Sequence, residues 1–167
     1  THLDSLSPQH RISWPLFAAL REEWRGRIEL QAATILPLEH FRGGGGDELA
    51  DCVAEHGGML GGVALPSARL DAELDRVFEL AAARGLDLDF HADETGVPSA
   101  AALRAIAQAT LRHRFEGRVV VVGASYSGNR DIYQTPLGMM PGAVIMANSV
   151  VQARRMVETP PASPAAG

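Results

Sequence analysis

Short apolar runs and longer stretches of helical apolar spacing take turns along this sequence. The run 59–64 is followed by Leu70, Leu74, Val77, Phe78 and Ala81 at helical intervals. Leu86, Leu88 and Phe90 then alternate with polar residues, and Leu103, Ile106, Ala107 and Leu111 resume the helical spacing. The run 118–123 contains four consecutive valines, the pattern of a strand buried on both faces. Connections between these segments are short. That order predicts βα units around a parallel sheet. The spacing predicts helices over 13–26, 47–56, 71–84 and 100–113, with Ser13 as N-cap of the first and Gly85 closing the third. It predicts strands over 27–36, 59–64 and 86–91. A chain of 167 residues with 46% hydrophobic content can bury one core of ordinary size.

The chemistry concentrates where the strand 86–91 runs into a polar turn. Leu86, Leu88 and Phe90 give it one apolar face, and Asp87, Asp89 and His91 share the other. His91, Asp93 and Glu94 follow one another within four residues. Catalytic groups of βα barrels sit at the C-terminal ends of strands. A neutral imidazole there can hold a metal, and a Glu three residues on can move the proton of a metal-bound water. Three ionisable groups on an inward face are costly to bury unless they are paired or coordinate something. The simpler reading is that polar residues after a strand cap the next helix.

Other candidates are weaker. Glu39 and His40 lie in the loop 37–41 after the second predicted strand, where an exposed histidine without a role is the simpler reading. Thr1-His2-Leu3-Asp4 reads as the end of a strand in which His2 and Asp4 share a face, and a frayed terminus is the simpler reading. His113 sits where a helix dipole alone accounts for it. The glycines at 43–46 read as a flexible connector, because no Lys-Ser/Thr follows them. The spacing at 123–128 mimics a phosphate loop, but Asn129-Arg130 stands where Lys-Ser/Thr is required.

A net charge of −5 with dispersed arginines shows no nucleic-acid footprint. No apolar run approaches the roughly 18 residues of a membrane span. The single Cys52 excludes an internal disulfide and fits a reducing, cytoplasmic setting. No secretory leader is read at the start.

Residues 1 to about 122 resemble the middle of the amidohydrolase superfamily, in its cytosine-deaminase-like branch. The likeness is carried by Thr1-His2-Leu3-Asp4, Arg27-Ile28-Glu29-Leu30-Gln31, Gly57-Gly58-Met59-Leu60-Gly61-Gly62-Val63, His91-Ala92-Asp93-Glu94 and Gly117-Arg118-Val119-Val120-Val121. The resemblance implies an α/β fold, part of a (β/α)8 TIM barrel. It implies a metal-dependent hydrolase or deaminase that cleaves a C–N bond of a cyclic amidine or amide such as cytosine. His91 matches a ligand of zinc or iron, Glu94 the carboxylate that shuttles protons, and Asp93 an orienting group. The loop 37–40 matches the substrate-contacting loop and makes Leu38 and His40 substrate-binding candidates. The departures are as informative. The family's His-x-His pair has no counterpart here, Ala124 stands where a His ligand is expected, and a late Asp ligand is absent. A catalytic zinc needs about three protein ligands. The chain alone is therefore expected to hold the metal weakly and to be incomplete as an enzyme.

From about residue 117 to 157 the sequence resembles the end of a CHASE2 domain, an extracytoplasmic sensor module. Thr135-Pro136-Leu137-Gly138, Pro141-Gly142 and Ala147-Asn148 carry that likeness. It implies two turns, a strand over 143–146, a helix over 148–157, and a non-enzymatic, ligand-binding alternative to the hydrolase. The expected organisation is a partial barrel over 1–122, a closing βα segment over 123–157 and a Pro/Ala-rich disordered tail over 158–167. The expected partners are a small-molecule substrate and other copies of the chain, with no nucleic acid and no membrane.

Overall fold

The computed structural model describes residues 1–93, 101–120, 132–135 and 138–141. β1 (His2–Asp4) pairs in parallel with β2 (Ala33–Ile35). β3 (Leu60–Ala64), β4 (Leu88–Ala92) and β5 (Val119–Val120) form a second parallel ladder. Bridges Ala33 to Met59 and Pro37 to Val63 join the ladders, so the strand order follows the chain from β1 to β5. Between the strands lie α1 (His10–Glu23), α2 (Gly44–Glu55), α3 (Leu70–Arg84) and α4 (Ala102–Arg112), with a 3-10 turn at Leu38–Phe41 before α2. These elements make up one unit, Thr1–Val120; Val121–Gly167 forms a second.

The core of the first unit is where the apolar helix stripes meet the outer faces of the strands. Trp14, Phe41, Val53, Leu60, Leu74, Val77, Phe78 and Leu88 are all fully buried. Phe78 of α3 stacks on Phe90 of β4 at a centroid distance of 5.9 Å and on His113 at 5.5 Å, and meets Phe115 edge-on at 5.2 Å. His113 Nε2 also contacts Asp75 Oδ1 at 2.7 Å, which ties the end of α4 to α3.

Three sequence expectations need correction. α1 begins at His10 rather than Ser13, because amides of Arg11, Ile12 and Ser13 already bond back to Pro8 and Gln9 carbonyls. Ser13 then lies inside the helix and returns its hydroxyl to the Gln9 carbonyl at 3.1 Å. The strand expected over 27–36 shortens to Ala33–Ile35, and Ile28 is exposed. The amides of Arg27 and Ile28 instead bond back to the Trp24 carbonyl, in the turn that closes α1, so the strand starts later. The glycines at 44–46 form the first turn of α2 rather than a loose connector. A Cβ on Gly46 would stand 2.2 Å from the Phe41 carbonyl oxygen, so this close approach needs glycine.

In the second unit β6 (Ile132–Thr135) and β7 (Gly138–Pro141) form an antiparallel hairpin in which Thr135 pairs with Gly138. The turn expected at 135–138 coincides with this reversal. The strand expected over 143–146, the helix over 148–157, the tail over 158–167 and Ala124 lie outside the described residues. Among the described residues no helix is long and apolar enough to cross a membrane.

Candidate metal centre

The strand pleat sorts the side chains of β4. Leu88 and Phe90 point to α3 and the core, so Asp89 and His91 share the opposite face. Asp89 is buried on that face, and His91 is partly open at the C-terminal end of the strand. The third member comes from β1. Three strand spacings separate β1 from β4, about 14 Å in a flat sheet. Yet His2 Nε2 lies 3.2 Å from His91 Nε2 and 3.4 Å from Asp89 Oδ2. The two imidazoles meet edge to face at 4.5 Å. The sheet therefore curls, and its concave face gathers side chains that its strand order keeps apart.

One donor atom from each of His2, Asp89 and His91 lies within 4.8 Å of the other two. Two imidazole nitrogens and a carboxylate oxygen suit a divalent first-row metal. The Asp89 side chain is only 7% exposed, and a buried carboxylate requires a compensating charge. These residues fit a metal.

Two glycines of β3 lie beside this site. Gly61 and Gly62 have φ of +152° and +159°. A Cβ on Gly61 would stand 1.7 Å from the Asp89 carbonyl oxygen, and one on Gly62 would stand 2.1 Å from that of Leu36. At these φ angles a Cβ would point into the carbonyls of the neighbouring chain segments, so the backbone of β3 needs glycine at both positions. Thr34 of β2 fills the space beside Gly61, accepting its amide at 2.9 Å and donating to its carbonyl at 2.7 Å.

The other sequence candidates fall elsewhere. Asp93 has a left-handed φ of +55°. Its Oδ1 accepts the Ala102 amide at 2.8 Å and its Oδ2 the Leu103 amide at 3.0 Å. It caps α4. Leu38 belongs to the buried core, while His40 of the same 3-10 turn faces solvent. Glu94 lies outside the described residues. Asp87, at the opposite end of β4, accepts the Arg118 amide at 2.8 Å and its guanidinium Nε at 2.9 Å. That backbone bond, followed by the side-chain bond and charge of Arg118, outweighs burial and holds the Asp87 carboxyl below its ordinary range. Sequence spacing paired Asp89 with His91. It offered no signal that His2, 89 residues away, completes the cluster.

The family model of the CHASE2 domain matches residues 13–166. The chain belongs to the CHASE2 domain family. That match starts far upstream of the segment 117–157 on which the sequence likeness rested. The same chain is also similar to part of amidohydrolase-type deaminases. It is 47% identical over 120 residues to a pterin deaminase of Rhizobium rhizogenes, covering 71% of this chain and 28% of that protein. The structure is similar to that of 5-methylcytosine deaminase from Klebsiella pneumoniae, solved with phosphonocytosine bound, with a TM-score of 0.60 and 22% identity. That likeness covers 71% of this chain and 30% of the other. The alternating parallel βα elements thus match part of a deaminase barrel structure. The chain spans under a third of the length of either relative.

Proposed function

We propose that this CHASE2-family chain supplies part of the metal-bearing wall of an amidohydrolase-type deaminase, acting on a C–N bond of a cyclic amidine or amide such as cytosine or a pterin. The observation that carries this reading is the place of His91, at the C-terminal end of β4 and on the concave face of a deaminase-like sheet. A metal at this position supplies a water whose pKa is lowered to near 7. His91 holds the ion. Glu94, three residues on, carries the proton from water toward the leaving nitrogen. Asp93 is a positioning residue, since its carboxylate ties the end of β4 to the start of α4. The turn bearing Leu38 and His40 borders the substrate side, with exposed His40 as the contact and buried Leu38 as its support.

Turnover needs further ligands and a closed, dry pocket, so the isolated chain is expected to release no ammonia from cytosine or pterin. The test replaces the matching segment of the Rhizobium rhizogenes pterin deaminase with residues 1–120 of this chain. The chimera should deaminate pterin, and Glu94→Gln within it should abolish ammonia release at unchanged metal content. A folded, metal-loaded chimera without activity would refute the reading. It would favour the second one, a non-catalytic ligand-binding module, which rests on the CHASE2 match over 13–166.

A further inference from the structure

We infer that His2 and Asp89 are metal ligands in their own right, so that His2 Nε2, Asp89 Oδ2 and His91 Nε2 bind one divalent first-row ion of the zinc or cobalt(II) type. This rests on His91 being a ligand and adds the two residues that complete the set.

The distances carry the inference. Two donors about 2.1 Å from one zinc at a tetrahedral angle stand roughly 3.3 Å apart. The observed separations are 3.2 Å from His2 to His91 and 3.4 Å from His2 to Asp89. Two edges of the ligand triangle therefore have coordination length. The third lies within 4.8 Å and closes by about 1.5 Å or less through side-chain rotation. A proton is the competing occupant. A single N–H on His2 Nε2 can point at His91 or at Asp89 but not well at both, whereas one cation satisfies all three lone pairs together. The donors also sit on β1 and β4, strands fixed by their own ladders, so the site is preorganised. Three protein ligands leave a fourth position open, the arrangement of catalytic rather than structural zinc.

The site differs from the one the sequence led us to expect. There the missing His-x-His pair and Ala124 left one recognisable ligand and weak binding. Here the curl of the sheet supplies two substitutes from within the chain.

The test titrates the untagged full chain with Co2+, read by visible d–d absorption, and with Zn2+ by calorimetry, at neutral pH. The expected result is about one ion per chain, with tetrahedral-type cobalt bands. His2→Ala, Asp89→Asn and His91→Ala should each weaken binding at least tenfold, with far-ultraviolet circular dichroism unchanged. His56→Ala, which removes the partner of Cys52 on α2, should leave binding as it was. If His91→Ala abolishes binding but His2→Ala and Asp89→Asn do not, the inference is wrong and His91 remains a ligand. If binding is lost only in His56→Ala, or none of the three variants changes it, the assignment of His91 falls too. Failure of the unmodified chain to bind either ion below millimolar concentration would also overturn the inference. Should His2→Ala fail to fold, His2→Gln, which keeps bulk and polarity, takes its place under the same criteria.

Discussion

Asp93→Ala should cost the protein about 3 kcal/mol, from two separable sources. The first is the cap. Oδ1 and Oδ2 accept the amides of Ala102 and Leu103 at 2.8 and 3.0 Å, and removing an acidic cap of this kind costs about 2 kcal/mol at the upper end of the observed range. The second is the backbone. Asp93 holds φ at +55°, which an alanine adopts at a cost of about 1 kcal/mol. The two terms predict an order among variants. Asp93→Gly relieves the backbone term and loses only the cap, about 2 kcal/mol. Asp93→Asn tolerates the left-handed conformation and keeps one acceptor, so it loses about 1 kcal/mol. Urea unfolding followed by circular dichroism measures all three, and the alanine variant should melt roughly 6–12 °C lower than the parent chain. A glycine variant less stable than alanine would show that the left-handed backbone does not carry the second term. An alanine variant within 0.5 kcal/mol of the parent would show that Asp93 is not a cap. Its orienting role would then have to be sought at the metal itself.

Gly61→Ala should prevent correct folding or cost more than about 3 kcal/mol, because its Cβ would stand 1.7 Å from the Asp89 carbonyl oxygen. Gly85→Ala meets only open space at φ +65° and should cost about 1 kcal/mol in the same urea assay. Phe78→Ala, which removes a buried ring packed on Phe90, Phe115 and His113, should cost about 3–5 kcal/mol. The Asp87 carboxyl titrates lower in the folded chain than in the unfolded one. Its contribution is therefore present above the unfolded pKa of about 4 and is lost as pH falls through the lower folded value. Asp87→Asn should flatten the acid limb of the stability profile and leave its slope near neutrality unchanged. Equal acid sensitivity in the two proteins would refute this.

Where the sequence carried period and punctuation together, it placed elements closely. α3 spans Leu70–Arg84 with Gly85 in the left-handed cap, against an expected 71–84. α4 spans Ala102–Arg112, within the expected 100–113. The failures share a cause. An alternation such as Ile28, Glu29, Leu30, Gln31 is indistinguishable from a strand until the bonds of its amides are known, and those of Arg27 and Ile28 return to the Trp24 carbonyl. The glycines at 44–46 read as flexible because a lone sequence does not reveal the Phe41 carbonyl that crowds Gly46.

The site shows the same division more sharply. Asp89 and His91 are two residues apart on one strand, and a period of two puts them on one face whatever the fold. His2 joins them only because the sheet curls. In a flat sheet it would stand about 14 Å away, and its natural partner would be Asp4, as the spacing suggested. Beside this cluster on β3, Gly61 and Gly62 adopt backbone angles at which a Cβ would strike the carbonyl oxygens of Asp89 and Leu36. The glycine pair therefore bears on the proposed metal site, although it touches no donor side chain. A substitution at Gly62, whose Cβ would stand 2.1 Å from the Leu36 carbonyl oxygen rather than against Asp89, separates the two effects once circular dichroism shows the variant folded. Gly62→Ala should push β2 outward from β3, and carry β1 and His2 with it, while Asp89 and His91 keep their places on β4. Cobalt binding should then fall toward that of His2→Ala without further loss when the two changes are combined. Additive losses in the double variant would mean that Gly62 acts on stability alone and that the curl is not what delivers His2.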